Sequence, residues 1–171
     1  MKTHYKYFRW AAYVIEILIL FVLQQTAGLI PEIYGQRPII LIPVLLTIAM
    51  FENERVGAGF GIFIGFIMDI GYGKVLGYNA IILAIIGYIV GAMAVNFIKT
   101  NLLTIMLVSA VCVFVVLSFQ FIFFYAIKGY GELVYTFQNH YLPRMFYTIM
   151  ITPIVYYFNL AFALDIKPKE E

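Results

Sequence analysis

Apolar positions along the chain come in long runs interrupted by charge, glycine and proline, and the interruptions mark off residues 10–26, 39–51, 56–70, 77–97, 102–126 and 142–164. A bilayer core about 30 Å thick is crossed by about 20 consecutive apolar residues. The pattern therefore predicts an all-α integral membrane protein, one domain of six transmembrane helices joined by short loops over residues 1–171. The second and third runs are short, about 20 and 22 Å at 1.5 Å per residue. Folding them as a re-entrant hairpin would leave Glu52, Glu54 and Arg55 at a tip inside the bilayer, at about 2.5–3.5 kcal/mol per charge. Two short crossings are expected instead, shielded by other helices and set against a pocket or a partner. Pro38 is expected to begin the second span and Pro43 to bend it. Between the last two spans, Leu133, Val134 and Phe137 recur at helical spacing, which predicts a short interfacial helix over 129–141.

Composition narrows the function classes. Of the 171 residues, 64% are hydrophobic and 12% charged, with a mean hydropathy of +0.95, against about 45–50% and about 25% for a soluble domain. Little chain is left outside the spans, which argues against a nucleotide-hydrolysing head, a periplasmic catalytic domain or a nucleic-acid module. The net charge of +2 matters less than its placement. With six crossings, the face holding both chain ends collects Lys2, Lys6, Arg9, Arg55, Lys99, Lys167 and Lys169, seven of the eleven basic residues. The positive-inside bias then places both ends in the cytoplasm. The first run follows Lys2, Lys6 and Arg9 as a signal peptide would, but it lacks a small-x-small cleavage site and more spans follow, so it reads as a first transmembrane helix. Tyr5, Tyr72, Tyr125 and Tyr141 fall near span ends, with Trp10, as interfacial anchors do.

Small residues allow helix backbones to approach in lipid, where leucine against leucine gains nothing over leucine against an acyl chain. Gly57, Gly61 and Gly65 recur every four residues on the third span. On the fourth, Gly77, Ala80, Ala84, Gly87, Gly91 and Ala94 alternate spacings of three and four. Both stripes are packing faces. The spacing does not say whether they meet each other, a partner protein or a second copy in a homodimer.

Polar residues at membrane depth are costly and normally face a protein interior or a cavity. Glu16 lies about 9 Å along the helix from Trp10, with Asn159 of the last span at similar depth as a candidate partner; a structural role and a partner or ligand contact both fit it. At the opposite ends, Arg37, Asp69, Lys74, Asn79 and Arg144 share one depth. An ion pair of Asp69 with Arg37 or Lys74 would lock the loop. Alternatively the set rims a pocket lined by the glycine-rich run 71–77. The chain has only two histidines, His4 and His140, on opposite faces of the predicted topology, and Gly73-Lys74 lacks the rest of a phosphate loop. Neither a metal, a cofactor nor an enzymatic activity is expected. The single cysteine, Cys112, rules out an internal disulfide.

Arg37-Pro38 before a short apolar helix, GAGFGIFIGFIMD over 57–69, the glycine-rich turn and Leu76-Gly77-Tyr78-Asn79-Ala80 together resemble the rod shape-determining MreD family. The resemblance extends over the chain's length, six spans and short charged tail. It implies a bacterial inner-membrane component of the cell-elongation machinery, associated with the membrane-anchored protein MreC and through it with the MreB filament, the glycan polymerase RodA and a penicillin-binding transpeptidase. The implied activity is scaffolding of lateral peptidoglycan synthesis, with no bond made or broken. The family is also similar in architecture to the S components of energy-coupling-factor transporters, which leaves a second expectation: a solute or lipid-headgroup binder with Arg37, Asp69, Asn79 and Arg144 at its mouth.

Overall fold

The structure, a computed structural model, describes residues 2–26, 28–33, 35–72, 75–97, 100–127 and 133–165. Its helices are α1 (Lys2–Gln25), α2 (Leu41–Phe51), α3 (Glu54–Tyr72), α4 (Tyr78–Asn96), α5 (Leu102–Phe121), the single turn α6 (Leu133–Thr136) and α7 (Leu142–Asp165). α5 ends in a widened π turn, Ile122–Ala126, and a second one, Phe137–Tyr141, joins α6 to α7. Among the described residues, five stretches are long and apolar enough to cross a bilayer: Tyr7–Gln25, Glu54–Tyr72, Tyr78–Asn96, Leu102–Tyr125 and Leu133–Ala163. The protein is a multi-pass membrane protein.

The sixth apolar helix, α2, has 11 residues, about 16 Å of rise. Contacts at its ends fix its direction. The Ile40 N–H donates to Gln24 at the end of α1, and Glu52 pairs with Arg9 near its start, so α2 runs antiparallel to α1 between the same two levels. The later helices keep alternating. Tyr72 closes α3 at the Gln24 level, Asn79 opens α4 beside Asp69, Gln120 near the end of α5 reaches Asn79, and Arg144 opens α7 beside Tyr72. At the other face, the Tyr156 hydroxyl of α7 donates to the Thr100 carbonyl just before α5.

α2 is the centre of the molecule. Leu41 to Met50 are buried on every side of the helix, as an all-apolar helix requires. Its one polar side chain, Thr47, turns its hydroxyl back to the Pro43 and Val44 carbonyls. Tyr13 and Ile17 of α1, Ile64 and Met68 of α3, Leu83 of α4, Val113 and Leu117 of α5 and Val155 of α7 complete the core. The outward faces, such as Ile81, Ile85 and Ile89 on α4 or Leu103, Leu107 and Val111 on α5, are apolar and exposed, and so suited to lipid.

Several local expectations change. Only one of the two central spans is short: α3 has 19 residues, because Glu54 and Arg55 enter its first turn, where the Asn53 side chain accepts the Val56 N–H, and Gly71 and Tyr72 extend its end. Pro43 does not bend α2. It sits in the first turn, where its missing N–H has no intrahelical partner to lose. Pro38 lies in a non-helical lead-in before the helix. Of the predicted interfacial helix, residues 129–132 lie outside the described residues, and 133–141 run on into α7 as one stretch, Leu133–Ala163. The π turn just upstream gives the Pro143 ring the room an unbroken α-helix would deny it. Pro153 lies inside α7.

Candidate functional site

The two small-residue stripes meet each other. A Cβ built on Gly61 would lie 2.8 Å from the Ala84 Cα and closer still to the Leu83 carbonyl, one on Gly57 would strike the Gly87 carbonyl, one on Gly65 the Ala80 backbone, and one on Gly91 would be 2.7 Å from the Glu54 Cα. Real Cβ atoms do not come this near backbone, so α3 and α4 touch main chain to main chain along Gly57, Gly61, Gly65, Ala84, Gly87 and Gly91. Gly77 stands apart from this seam. Nothing lies within 4 Å of where its Cβ would be, and its φ of +93° is left-handed, a turn position before α4 that L residues resist.

That turn is held by Asp69. Its Oδ2 accepts the Gly77 N–H at 2.8 Å, and its Oδ1 accepts the Asn79 backbone N–H at 3.2 Å and the Asn79 side-chain amide at 2.7 Å. The carboxylate, 1% exposed, thus satisfies donors at the start of α4 that would otherwise be orphaned in an apolar medium. Asn79 passes the connection on: its Oδ1 accepts from Gln120 at 2.8 Å. α3, α4 and α5 are tied by one buried polar chain. Asp69 therefore does not pair with Arg37, and Lys74 lies outside the described residues. Arg37 instead donates from Nε and Nη2 to Glu32, five residues back in its own loop.

A second network supports the non-helical lead-in to α2, whose backbone donors lie deep in the protein. Gln24 accepts the Ile40 N–H at 2.9 Å and donates to the Tyr72 hydroxyl at 2.6 Å, while Thr148 accepts the Ile39 N–H at 3.0 Å and donates to the Arg144 carbonyl at 2.7 Å. Such side-chain partners are what make irregular backbone tolerable at membrane depth. Arg144 sits over the Tyr72 ring, 5.8 Å from its centroid, with Nη2 3.4 Å from the hydroxyl. Beside it opens a pocket of about 180 Å³ lined by Gln36, Tyr125, Thr136, His140, Tyr141 and Arg144. The four residues expected at one mouth are thus divided: Asp69 and Asn79 together inside the bundle, Arg37 in its loop, Arg144 at this pocket. Gln36, Thr136 and His140 were not anticipated there. Their signal was the spacing of Thr136, His140 and Arg144 at four-residue intervals, legible only once 133–165 is taken as one helical run.

Near the opposite face, Arg9 donates from Nη2 to Glu52 at 2.7 Å. Glu16 is 5% exposed and faces Asn159, and Asn159 Nδ2 donates to Thr47 at 2.8 Å; among the described residues neither Glu16 carboxyl oxygen nor Asn159 Oδ1 meets a hydrogen-bond partner. Glu16 borders an apolar cleft of about 280 Å³ between α1 and α7, with Ile15, Ile19, Phe158 and Phe162 among its walls. Among the described residues, no three His, Cys, Asp or Glu side chains gather as metal ligands.

The family model for rod shape-determining protein MreD matches residues 4–163. No curated protein and no solved structure matches the chain.

Proposed function

The chain belongs to the rod shape-determining protein MreD family, and from that premise we propose that it is a non-catalytic scaffold of the bacterial elongation complex. In this reading it lies in the inner membrane with both ends cytoplasmic, binds an MreC-like partner, and through it supports the MreB filament, RodA and a penicillin-binding transpeptidase in lateral peptidoglycan synthesis. The observation that carries the reading is where the chain spends its polar and small residues. The glycine seam is closed between α3 and α4 and the Asp69 chain is closed among α3, α4 and α5, so that most of what faces outward is apolar helix surface, suited to lipid and to another protein's membrane helix. The pocket at Arg144, about 180 Å³, is smaller than the roughly 300–1,000 Å³ of sites for drug-sized ligands, which favours the scaffold over a vitamin-binding S component.

The test is depletion and recovery in a rod-shaped bacterium. Cells lacking the chain are expected to round up, and affinity-tagged chain solubilised from complemented cells to carry the single-pass MreC-like protein with it. Rod shape without the chain, together with recovery of the chain alone, would refute the proposal.

A further inference from the structure

The arginines near the two faces differ in how they are paired. Arg9 has Glu52 and Arg37 has Glu32. Arg144 has no carboxylate among the described residues. Among the described residues its buried Nε has no acceptor, and its Nη2 makes one long contact, 3.4 Å, to a Tyr72 hydroxyl already engaged by Gln24 at 2.6 Å. A guanidinium carries five N–H donors and is always charged, so this side chain keeps most of its hydrogen-bonding capacity unused, half-buried in a low-dielectric setting where that is expensive.

The pocket beside it has matching chemistry. Apart from Arg144, its walls are Gln36, Tyr125, Thr136, His140 and Tyr141, every one of which can donate a hydrogen bond and none of which carries negative charge at neutral pH. The Gln36 amide and His140 Nδ1 are 2.9 Å apart; with the amide donating, the imidazole proton is on Nε2. A cation ringed by donors, with no carboxylate in the wall among the described residues, selects an anion. The volume of about 180 Å³ suits a compact one. The pocket also lies toward the end of the bundle where α1 and α3 finish and α4 begins, the side from which a headgroup phosphate would reach it. Arginine is the residue best matched to phosphate oxygens, two at a time.

We propose that the Arg144 pocket binds a phosphate group, presented either by a phospholipid headgroup or as free inorganic phosphate. The site is independent of the scaffold reading: it stands on the Arg144 geometry whether or not the partner named above is recovered.

Native mass spectrometry of the delipidated full chain tests it, with three probes: phosphatidylglycerol, diacylglycerol of the same acyl chains, and inorganic phosphate as competitor. The wild-type chain should retain phosphatidylglycerol at least tenfold better than diacylglycerol, Arg144→Gln should remove that preference, and Arg55→Gln, on the opposite face, should leave it intact. Thr136→Val, which keeps Arg144 over Tyr72, should weaken retention several-fold and covers the case in which Arg144→Gln does not fold. Displacement of the lipid by phosphate alone would identify the phosphate group as sufficient, including from solution; Arg144-dependent retention that phosphate does not displace would identify the lipid headgroup. Equal retention of both lipids, or a preference unchanged in both Arg144→Gln and Thr136→Val, would overturn the proposal.

Discussion

Replacing Asp69 with asparagine keeps the shape of the side chain and removes half of its acceptors. In the native protein two oxygens serve three donors, the Gly77 N–H on Oδ2 and both Asn79 groups on Oδ1. An asparagine has one oxygen. If it serves Asn79, its NH2 is thrust against the Gly77 N–H, donor against donor, where the carboxylate stood 2.8 Å away. A charge-assisted bond is worth about 1.5–3 kcal/mol, and a buried donor left without an acceptor costs a further ~1–3 kcal/mol. The sum, about 2.5–6 kcal/mol, exceeds the ~1 kcal/mol of an ordinary helix cap, because one charged acceptor serving three donors is lost. For a protein of this size the loss corresponds to a fall in melting temperature of roughly 5–24 °C. Thermal unfolding in detergent, followed by size-exclusion recovery, reads it directly. A variant melting within two degrees or so of wild type would refute the claim that this carboxylate organises the α3–α4 turn.

Four further outcomes follow from the same contacts. Gln120→Leu, which takes one donor from Asn79, should cost about 1–2 kcal/mol and lower the melting temperature by less than Asp69→Asn does in the same assay. Gly61→Leu must push α4 off α3 at the Leu83 carbonyl, so the folded yield in detergent should collapse, whereas Ile85→Ala, on a residue 55% exposed, should stay within about 0.5 kcal/mol of wild type. Arg9→Ala and Glu52→Ala should be non-additive in a double-mutant cycle by about 1 kcal/mol or more, given that the Glu52 side chain is 4% exposed. Gln24→Leu and Thr148→Val each strand one backbone N–H before α2; hydrogen exchange at Ile39 and Ile40 should quicken in each, with little change on α4.

The spans were legible because bilayer thickness imposes a length that apolar runs must meet, and the seam because a period of three and four is visible in the residue names. Which surface the seam faces was not, since Gly57 and Gly87 read alike whether they touch each other or a foreign helix. The partner of Asp69 is hidden from the sequence for a physical reason. Counting charges sets Arg37 against it, but backbone donors do not appear in a sequence, and the N–H groups of Gly77 and Asn79 compete for the carboxylate with no side-chain entropy to lose. The boundary of α7 was hidden the same way: Pro143 reads as a helix start unless a widened turn upstream accommodates its ring, and with that turn unforeseen, the grouping of Thr136, His140 and Arg144 was invisible.

Photo-crosslinking from single lipid-facing positions in living rod-shaped cells puts the greatest pressure on the scaffold account. With a photoreactive residue at Ile15, Ile85, Leu107, Met150 or Ile154, all exposed, crosslinks to one single-pass membrane protein should arise from neighbouring positions on one outward face, and none should arise from Ala84 inside the seam. Shape-supporting variants that capture that protein from Ala84, or from none of the outward faces, would contradict it.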